Sequence, residues 1–251
     1  MRRQPHAAAL RRSDVPGVAR PQARLVSFAL GDPGDLVRRA HDVGSKVMLQ
    51  VTTVSQAVEA VERGVDIIIA QGGEAGGYGG VVSTMTLVPQ VVDAVAPLPV
   101  VAAGGIFDGR GLAAALMLGA VGVNMGTRFL ASKEAPIEDG WQQAILDARS
   151  EDTLKAEAMN DINPLPGTAG YGTVLRSIKT PFLEEWNARP GEVASERKRL
   201  QAEIRDAVMS GRRHEIVLTA GQTAGAITDV LPVADIIQRV VQEAEAALGG
   251  G

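Results

Sequence analysis

Gln71, Glu74 and Tyr78 sit inside residues 70–80, AQGGEAGGYGG, where six of eleven residues are glycine. An amide, a carboxylate and a phenol can bind polar atoms or move protons. Glycine has no Cβ and tolerates φ > 0, so a run of it lets backbone pass close to a flat or phosphorylated group. The run follows Val65-Asp66-Ile67-Ile68-Ile69, which reads as a buried strand emptying into a loop. Two further strand ends repeat the pattern. PVVAAGGIFDGRG places Gly104-Gly105 after an apolar run, and GVNMGTRFLAS places Gly126-Thr127 there again, 22 residues later. Adjacent glycine-ended strands turn backbone N–H groups toward one rim, which suits a phosphate. Thr127 adds a hydroxyl, and Arg128 either adds charge or pairs with a neighbouring acid.

The other chemistry-bearing residues read more quietly. Glu74 suits bonding to loop amides. Asp93, Asp108 and Glu134 stand near helix ends, where capping accounts for acids. His214, in GRRHE, reads as solvated. Trp141, Trp186 and Phe182 suit a small separate core, and Tyr171 suits the same core or a place facing a ligand.

The elements that must position these groups form a rhythm. Strands are expected at residues 24–29, 46–51, 66–70, 99–103 and 121–125. Helices are expected at 35–43, 55–63, 86–95 and 111–118. Short, continuously apolar strands alternating with helices indicate a parallel sheet covered by helices. Because the glycines follow the third, fourth and fifth strands rather than the first, a (β/α)₈ barrel is favoured over a doubly wound dinucleotide fold. The expected fold class is therefore α/β of the TIM-barrel type. It is incomplete, with about five βα units visible, a C-terminal helix from about 233 to 248 and an inserted helical cap. The expected division is an irregular leader at 1–23, a partial barrel at 24–132 and 220–251, and a charged, helix-prone cap at 133–219. The rhythm resumes at Gly225-Ala226-Ile227. In the C-terminal helix, Val233, Ile236, Ile237, Val240 and Val241 are expected to share one buried face.

Composition removes several function classes. A formal charge of −4 argues against a nucleic-acid or anionic-membrane surface. The chain has no cysteine, so thiolate chemistry and cysteine-held metals are excluded. Three scattered histidines, His6, His41 and His214, argue against a histidine-held metal. No run approaches the roughly 20 apolar residues of a membrane span. The arginine-rich start has too short an apolar patch for a secretory signal, and cytoplasm is the expected compartment.

Three stretches together carry a family resemblance. KVMLQVTTVSQAVEAVERGVDIIIAQGGEAGGYGG, TMTLVPQVVDAVAPLPVVAAGGIFDG and NMGTRFLASKEAP resemble the nitronate monooxygenase (2-nitropropane dioxygenase-like) family, over residues 24–248 and most strongly over 46–135. That resemblance implies an FMN-dependent (β/α)₈ barrel with a helical cap, an oxidoreductase that oxidises alkyl nitronates with O₂. The similar flavin-dependent enoyl-acyl-carrier-protein reductases leave a second reading, an NAD(P)H-dependent reductase of enoyl thioesters or quinones. An inactive barrel fragment is a third. Carried over to this chain, the resemblance implies that Gln71 and Gly76 approach the flavin. It implies that Gly104, Gly105, Asn124, Met125, Gly126 and Thr127 hold the FMN phosphate. Lys46 reaches the flavin pyrimidine edge or points to solvent. The expected partners are a small-molecule substrate and a co-substrate, O₂ or NAD(P)H, with a homo-oligomer left open and no metal.

Two departures stand out. The family motif carries a histidine, the catalytic acid or base, where this chain has Tyr78. Tyr has an ordinary pKa near 10 against about 6.5 for His, so at neutral pH it donates a proton rather than accepting one. A preformed nitronate could still take a hydrogen bond from it; packing within the loop is the other reading of Tyr78. The first visible strand also matches the fourth strand of the family barrel, and residues 1–23 offer no counterpart of the earlier ones. The expectation is a truncated product or a chain completed by a partner.

Overall fold

The apolar runs separated by glycine-ended helices fold as a parallel sheet. The computed structural model describes residues 23–164 and 172–249. Apart from Ala23, the expected leader lies outside the described residues, as does Tyr171. In order come β1 (Leu25–Phe28), α1 (Leu36–His41), β2 (Lys46–Val51), α2 (Val54–Glu62), β3 (Ile67–Gln71), β4 (Gly77–Gly79), α3 (Thr84–Val95), β5 (Val100–Ala103), α4 (Gly109–Met117) and β6 (Gly122–Asn124). The sheet runs β1-β2-β3-β5-β6 with every pair parallel. Its strands lie in sequence order with no reversal. That is barrel order; a doubly wound sheet would turn back at a switch point.

Strand alternation divides the side chains between two faces. Val47, Leu49, Val51, Ile68, Ala70 and Ala102 point outward and form one buried core with the covering helices. Register then builds the inner face in rows. Gln50 lies beside Ile69 and Ile69 beside Val101. One step nearer the carboxyl ends, Gln71 lies beside Ala103 and Ala103 beside Asn124. The inner face therefore becomes polar where the strands end.

At the opposite rim Asp66 ties two strands together. It accepts from the Lys46 ammonium at 2.6 Å and the Val47 N–H at 2.8 Å, and pairs with His41 Nε2 at 2.8 Å. Lys46 thus starts β2 on the amino-terminal side and stays largely exposed, so the expectation that it reaches a ligand at the carboxyl ends is corrected in favour of the solvent-facing reading. Burial alone would raise the Asp66 carboxyl, but Lys46, Val47 and His41 hold it at about 2. A carboxyl depressed by folding contributes stability that is complete above its unfolded value near 4 and is lost as pH falls toward 2. Asp66→Asn is expected to cost about 2 kcal/mol at pH 7 and to flatten unfolding stability between pH 4 and 2, as read by urea melts across that window.

Beyond β6 come α5 (Thr127–Leu130), α6 (Asp139–Asp147), β7 (Thr153–Lys155), α7 (Glu157–Ile162), β8 (Val174–Ile178), α8 (Pro181–Asn187), α9 (Pro190–Met209) and α10 (Val233–Gly249). The helix-prone cap expected at 133–219 does carry helices, and it also contains two strands the sequence reading did not include. β7 and β8 pair antiparallel and take β4, from the glycine-rich loop, as the third strand, in the order β4-β8-β7. β7 and β4 are three residues each, too short to leave a periodic signal, and exist through tertiary pairing. Leu175, Phe182, Leu183, Trp186, Val193 and Leu200 form a second buried core against this sheet. Trp141 belongs to a third cluster, with Ile145, Leu218 and Ile227.

Two smaller expectations also change. The segment around Gly225 is a 3-10 turn, Gln222–Ala226, rather than a resumed strand. On α10 the buried stripe is Ile236, Val240 and Ala244. Ile237 and Val241 remain 49% and 43% exposed, because α4 covers only the adjacent face. Gly109 permits that contact: a Cβ there would meet Glu243 Cβ and Val240 O, and its N–H donates to Glu243 at 2.9 Å. No helix among the described residues is long and apolar enough to cross a membrane.

Candidate active site

A cleft of about 330 Å³ opens at the carboxyl ends of the parallel strands. Its lining contains Gln71, Gly76, Gly104, Gly105, Asn124, Met125, Gly126 and Thr127, so all eight expected binding residues meet in one place. Gln50, Glu74, Gly77, Thr219, Gly221 and Thr223 complete much of the wall. The inner-face row explains the convergence, since register alone brings Gln71, Ala103 and Asn124 side by side.

The glycines divide into two kinds. Gly72, Gly76 and Gly80 serve close approach within the protein. An added Cβ would lie 2.0 Å from Thr84 Oγ1, 2.5 Å from Ala220 C and Gly221 N, and 2.7 Å from Thr52 Cβ respectively. Gly77 and Gly126 instead face open space. Gly104 and Gly105 have φ of +93° and +71°, backbone that side chains rarely adopt. They turn the chain sharply at the end of β5, where a Cβ on Gly104 would lie 2.9 Å from Gly72 O.

Polar side chains fix the loop. Glu74 accepts from the Thr84 N–H at 2.9 Å and from its hydroxyl at 2.8 Å, anchoring the start of α3. Thr127 is buried, and its Oγ1 accepts from the Gly221 N–H at 2.9 Å, which joins the β6–α5 turn to the 220s. Arg128 turns away from the cleft. It is 6% exposed and bonds Asp229 Oδ1 at 2.9 Å, Asp229 O at 2.8 Å and Ala131 O at 2.9 Å. Of its two sequence readings, pairing with an acid holds. Asp108 caps α4 through the Gly111 N–H, and Glu134 accepts from the Val233 N–H at the start of α10. His214 lies in a short 3-10 turn, 3.7 Å from Glu138.

Tyr78 does not line the cleft. On β4 it is paired with Leu175, and its ring packs against the second core. Burial raises its phenol above the ordinary value, which leaves it protonated at any physiological pH.

Two cations come to the loop from the antiparallel sheet, and the sequence reading missed both. Lys155 Nζ donates to Gly79 O at 3.1 Å and to Gly80 O at 2.8 Å. Arg176 donates to Gly73 O at 3.0 Å and to Thr153 Oγ1 at 3.1 Å. Burial, and then Arg176, lowers the Lys155 ammonium to about 8 against an opposing pull from Glu74; burial lowers Arg176 as well. Neither residue stands in a glycine-rich motif, and both lie far along the chain from the loop they hold. Nothing short of the strand pairing would have found them.

Fold and cleft together define the class: an α/β barrel protein with a glycine-rimmed site at the carboxyl ends of its strands and a second, mixed layer gripping the rim. The chain matches the nitronate monooxygenase family over residues 8–243 and belongs to that family, one of flavin-dependent oxidoreductases. A Mycobacterium tuberculosis protein named as a candidate monooxygenase, Rv1533, is 43% identical over 165 residues, 65% of this chain and 41% of that protein. A Staphylococcus aureus protein named as a probable nitronate monooxygenase is 34% identical over 187 residues, 70% of this chain and 49% of that protein. The chain thus spans less than half the length of these two curated relatives. A third, a Mycobacterium tuberculosis hydroxy-methyl-oxo-octahydro-indene-carboxyl-CoA dehydrogenase, is 31% identical over 256 residues, 90% of this chain and 72% of that protein. Among solved structures, FabK from Thermotoga maritima aligns with a TM-score of 0.79 at 34% identity, over 90% of this chain and 69% of that one. Nitroalkane oxidase from Streptomyces ansochromogenes aligns with 0.76 at 28% identity, over 90% and 66%.

Proposed function

We propose that this chain binds FMN in the cleft and acts as an oxidoreductase on alkyl nitronates with O₂. The observation that carries the reading is the meeting of all eight expected binding residues in one cleft. The cleft fits a flavin on its own features. Gln71 is 7% exposed, and its Oε1 is buried with no hydrogen-bond partner among the described residues, an expense that a bound polar ring edge would offset. Gly77 and Gly126 leave open space where any side chain would intrude.

In this reading the backbone N–H groups of Gly104, Gly105, Gly126 and Thr127 would hold the phosphate, with Asn124 and Met125 beside them, and Gln71 and Gly76 would meet the ring system. When bound, a flavin would supply the electron transfer between substrate and oxygen. The protein's part is to orient the reactants and keep water out of the cleft. Tyr78, packed on the second core, holds the loop as part of a sheet and keeps its proton. A substrate that arrives already as the nitronate anion needs no base to deprotonate it, which suits a site without the family histidine.

A second reading, an NAD(P)H-dependent flavin reductase of enoyl thioesters or quinones, draws support from the likeness to FabK and to a carboxyl-CoA dehydrogenase. The two are separated under anaerobic conditions. The purified protein mixed with FMN is expected to gain protein-bound flavin absorbance, and an alkyl nitronate is expected to bleach it while NADPH does not. Bleaching by NADPH alone selects the reductase. A protein that stays colourless with added FMN overturns both.

A further inference from the structure

We propose that Lys155 is a positioning residue of this site, which holds the glycine-rich rim by two carbonyls and makes the cleft prefer anionic occupants over neutral ones of the same shape. The proposal deepens the flavin reading and rests on it.

The geometry has three parts. Lys155 is the last residue of β7, half-buried, and its ammonium bonds the successive carbonyls of Gly79 and Gly80. An ammonium has three donors, so one remains. The point where a Gly79 Cβ would stand lies 3.8 Å from Lys155 Nζ and 3.1 Å from Gln71 Oε1. The ammonium and the unpartnered amide oxygen therefore both stand close to Gly79, and Gln71 lines the cleft. A full positive charge thus stands just behind a wall of the site.

The neighbouring charges act on that cation in opposite senses, Arg176 repelling it and the cleft-lining Glu74 attracting it. Glu74 from the loop is occupied by Thr84, and Arg176 from β8 is occupied by Gly73 and Thr153. Among the described residues no carboxylate bonds the Lys155 ammonium, whose partners are the Gly79 and Gly80 carbonyls. Tyr78, on the opposite face of the same sheet, packs into the second core. With its value near 8, Lys155 is charged at neutral pH and loses its proton as pH rises through 8. Attraction for an anion is present below that pH and fades above it.

Nitrite is a suitable probe, a planar two-oxygen anion that does not titrate between pH 7 and 9.5, with neutral nitromethane at pH 7 for comparison. Binding is read from the shift in bound-FMN absorbance. The wild-type protein is expected to bind nitrite about tenfold or more weakly at pH 9.5 than at pH 7, following loss of the charge. Lys155→Arg keeps its charge and is expected to remove that pH dependence. Lys155→Gln is expected to bind nitrite weakly at both pH values and to lose far more affinity for nitrite than for nitromethane. Each variant is compared by circular dichroism and FMN affinity. If Lys155→Gln does not fold, the Lys155 ammonium is titrated by NMR in flavin-free wild type, where a midpoint near 8 is expected. A midpoint at the ordinary lysine value near 10.4, a pH-independent wild type, or a Lys155→Gln protein that binds nitrite like wild type overturns the proposal. Wild type that takes up no FMN defeats the underlying reading instead, and the two failures are distinct.

Discussion

Gly76→Ala is expected to lower stability by about 3 kcal/mol and to remove FMN binding altogether. The methyl would stand 2.5 Å from both the Ala220 carbonyl carbon and the Gly221 nitrogen. These are backbone atoms with no rotamer to change, so two segments must separate. The same contact is tight from the other side, where a Cβ on Gly221 would lie 2.8 Å from Gly76 N. The Gln222 N–H donates to Glu74 O across this seam, and the Gly221 N–H donates to Thr127 Oγ1. Forcing the seam apart disturbs the loop and the β6–α5 turn together. For a chain of this size the thermal midpoint should fall by about 6–12 °C. Gly77→Ala is the control, one residue away. It has φ of +74° but nothing within 4 Å, so only backbone strain of about 1–2 kcal/mol applies. Equal loss in both variants by calorimetry would show that the seam does not carry the effect.

Arg128→Met should be the second large loss, about 2–4 kcal/mol. Breaking a buried ion pair by removing one partner costs about 3–5 kcal/mol, and the partial exposure of Asp229 reduces the figure. Methionine replaces the aliphatic stem but none of the three hydrogen bonds, two of which tie α5 to Asp229 before α10 while the third reaches Ala131 O at the end of α5. Burial would raise the Asp229 carboxyl, yet Arg239 and Arg128 hold it below the ordinary range. Asp229→Asn should therefore be milder than Arg128→Met, since Arg128 keeps its two carbonyl partners. Because Arg128 follows Thr127, weakened FMN affinity should accompany the loss of stability. Urea melts and an FMN titration of both variants test this, and a Met variant as stable as wild type would refute it.

Much of this molecule was legible along the chain. Parallel strands covered by helices need continuous apolar runs, and 46–51, 66–70 and 99–103 carry them without ambiguity. Where the glycines fall in that series pointed to barrel order and to the strand ends that form the rim. What each glycine is for was not legible. Gly76 reads in sequence as an approach to a ligand, whereas its missing Cβ is demanded by residues 220 and 221, some 145 positions away. Lys46 differs. As the first residue of a parallel strand it stands at the amino-terminal rim, opposite the cleft, and only the fold supplies its partner there, Asp66.

The βα order, the glycine-ended strands and the family resemblance follow from local patterns in the chain: apolar period, chain-breaking residues and short motifs. Which core each side chain joins and which distant segments hold the rim are set by long-range packing. Pairing of β4 with β8 sends Tyr78 into the second core and brings Lys155 and Arg176 against the carbonyls of the glycine loop. Three-residue strands have no stability or periodicity of their own, so their pairing is a property of the folded chain. The chemistry behind the wall of the cleft is set by that pairing.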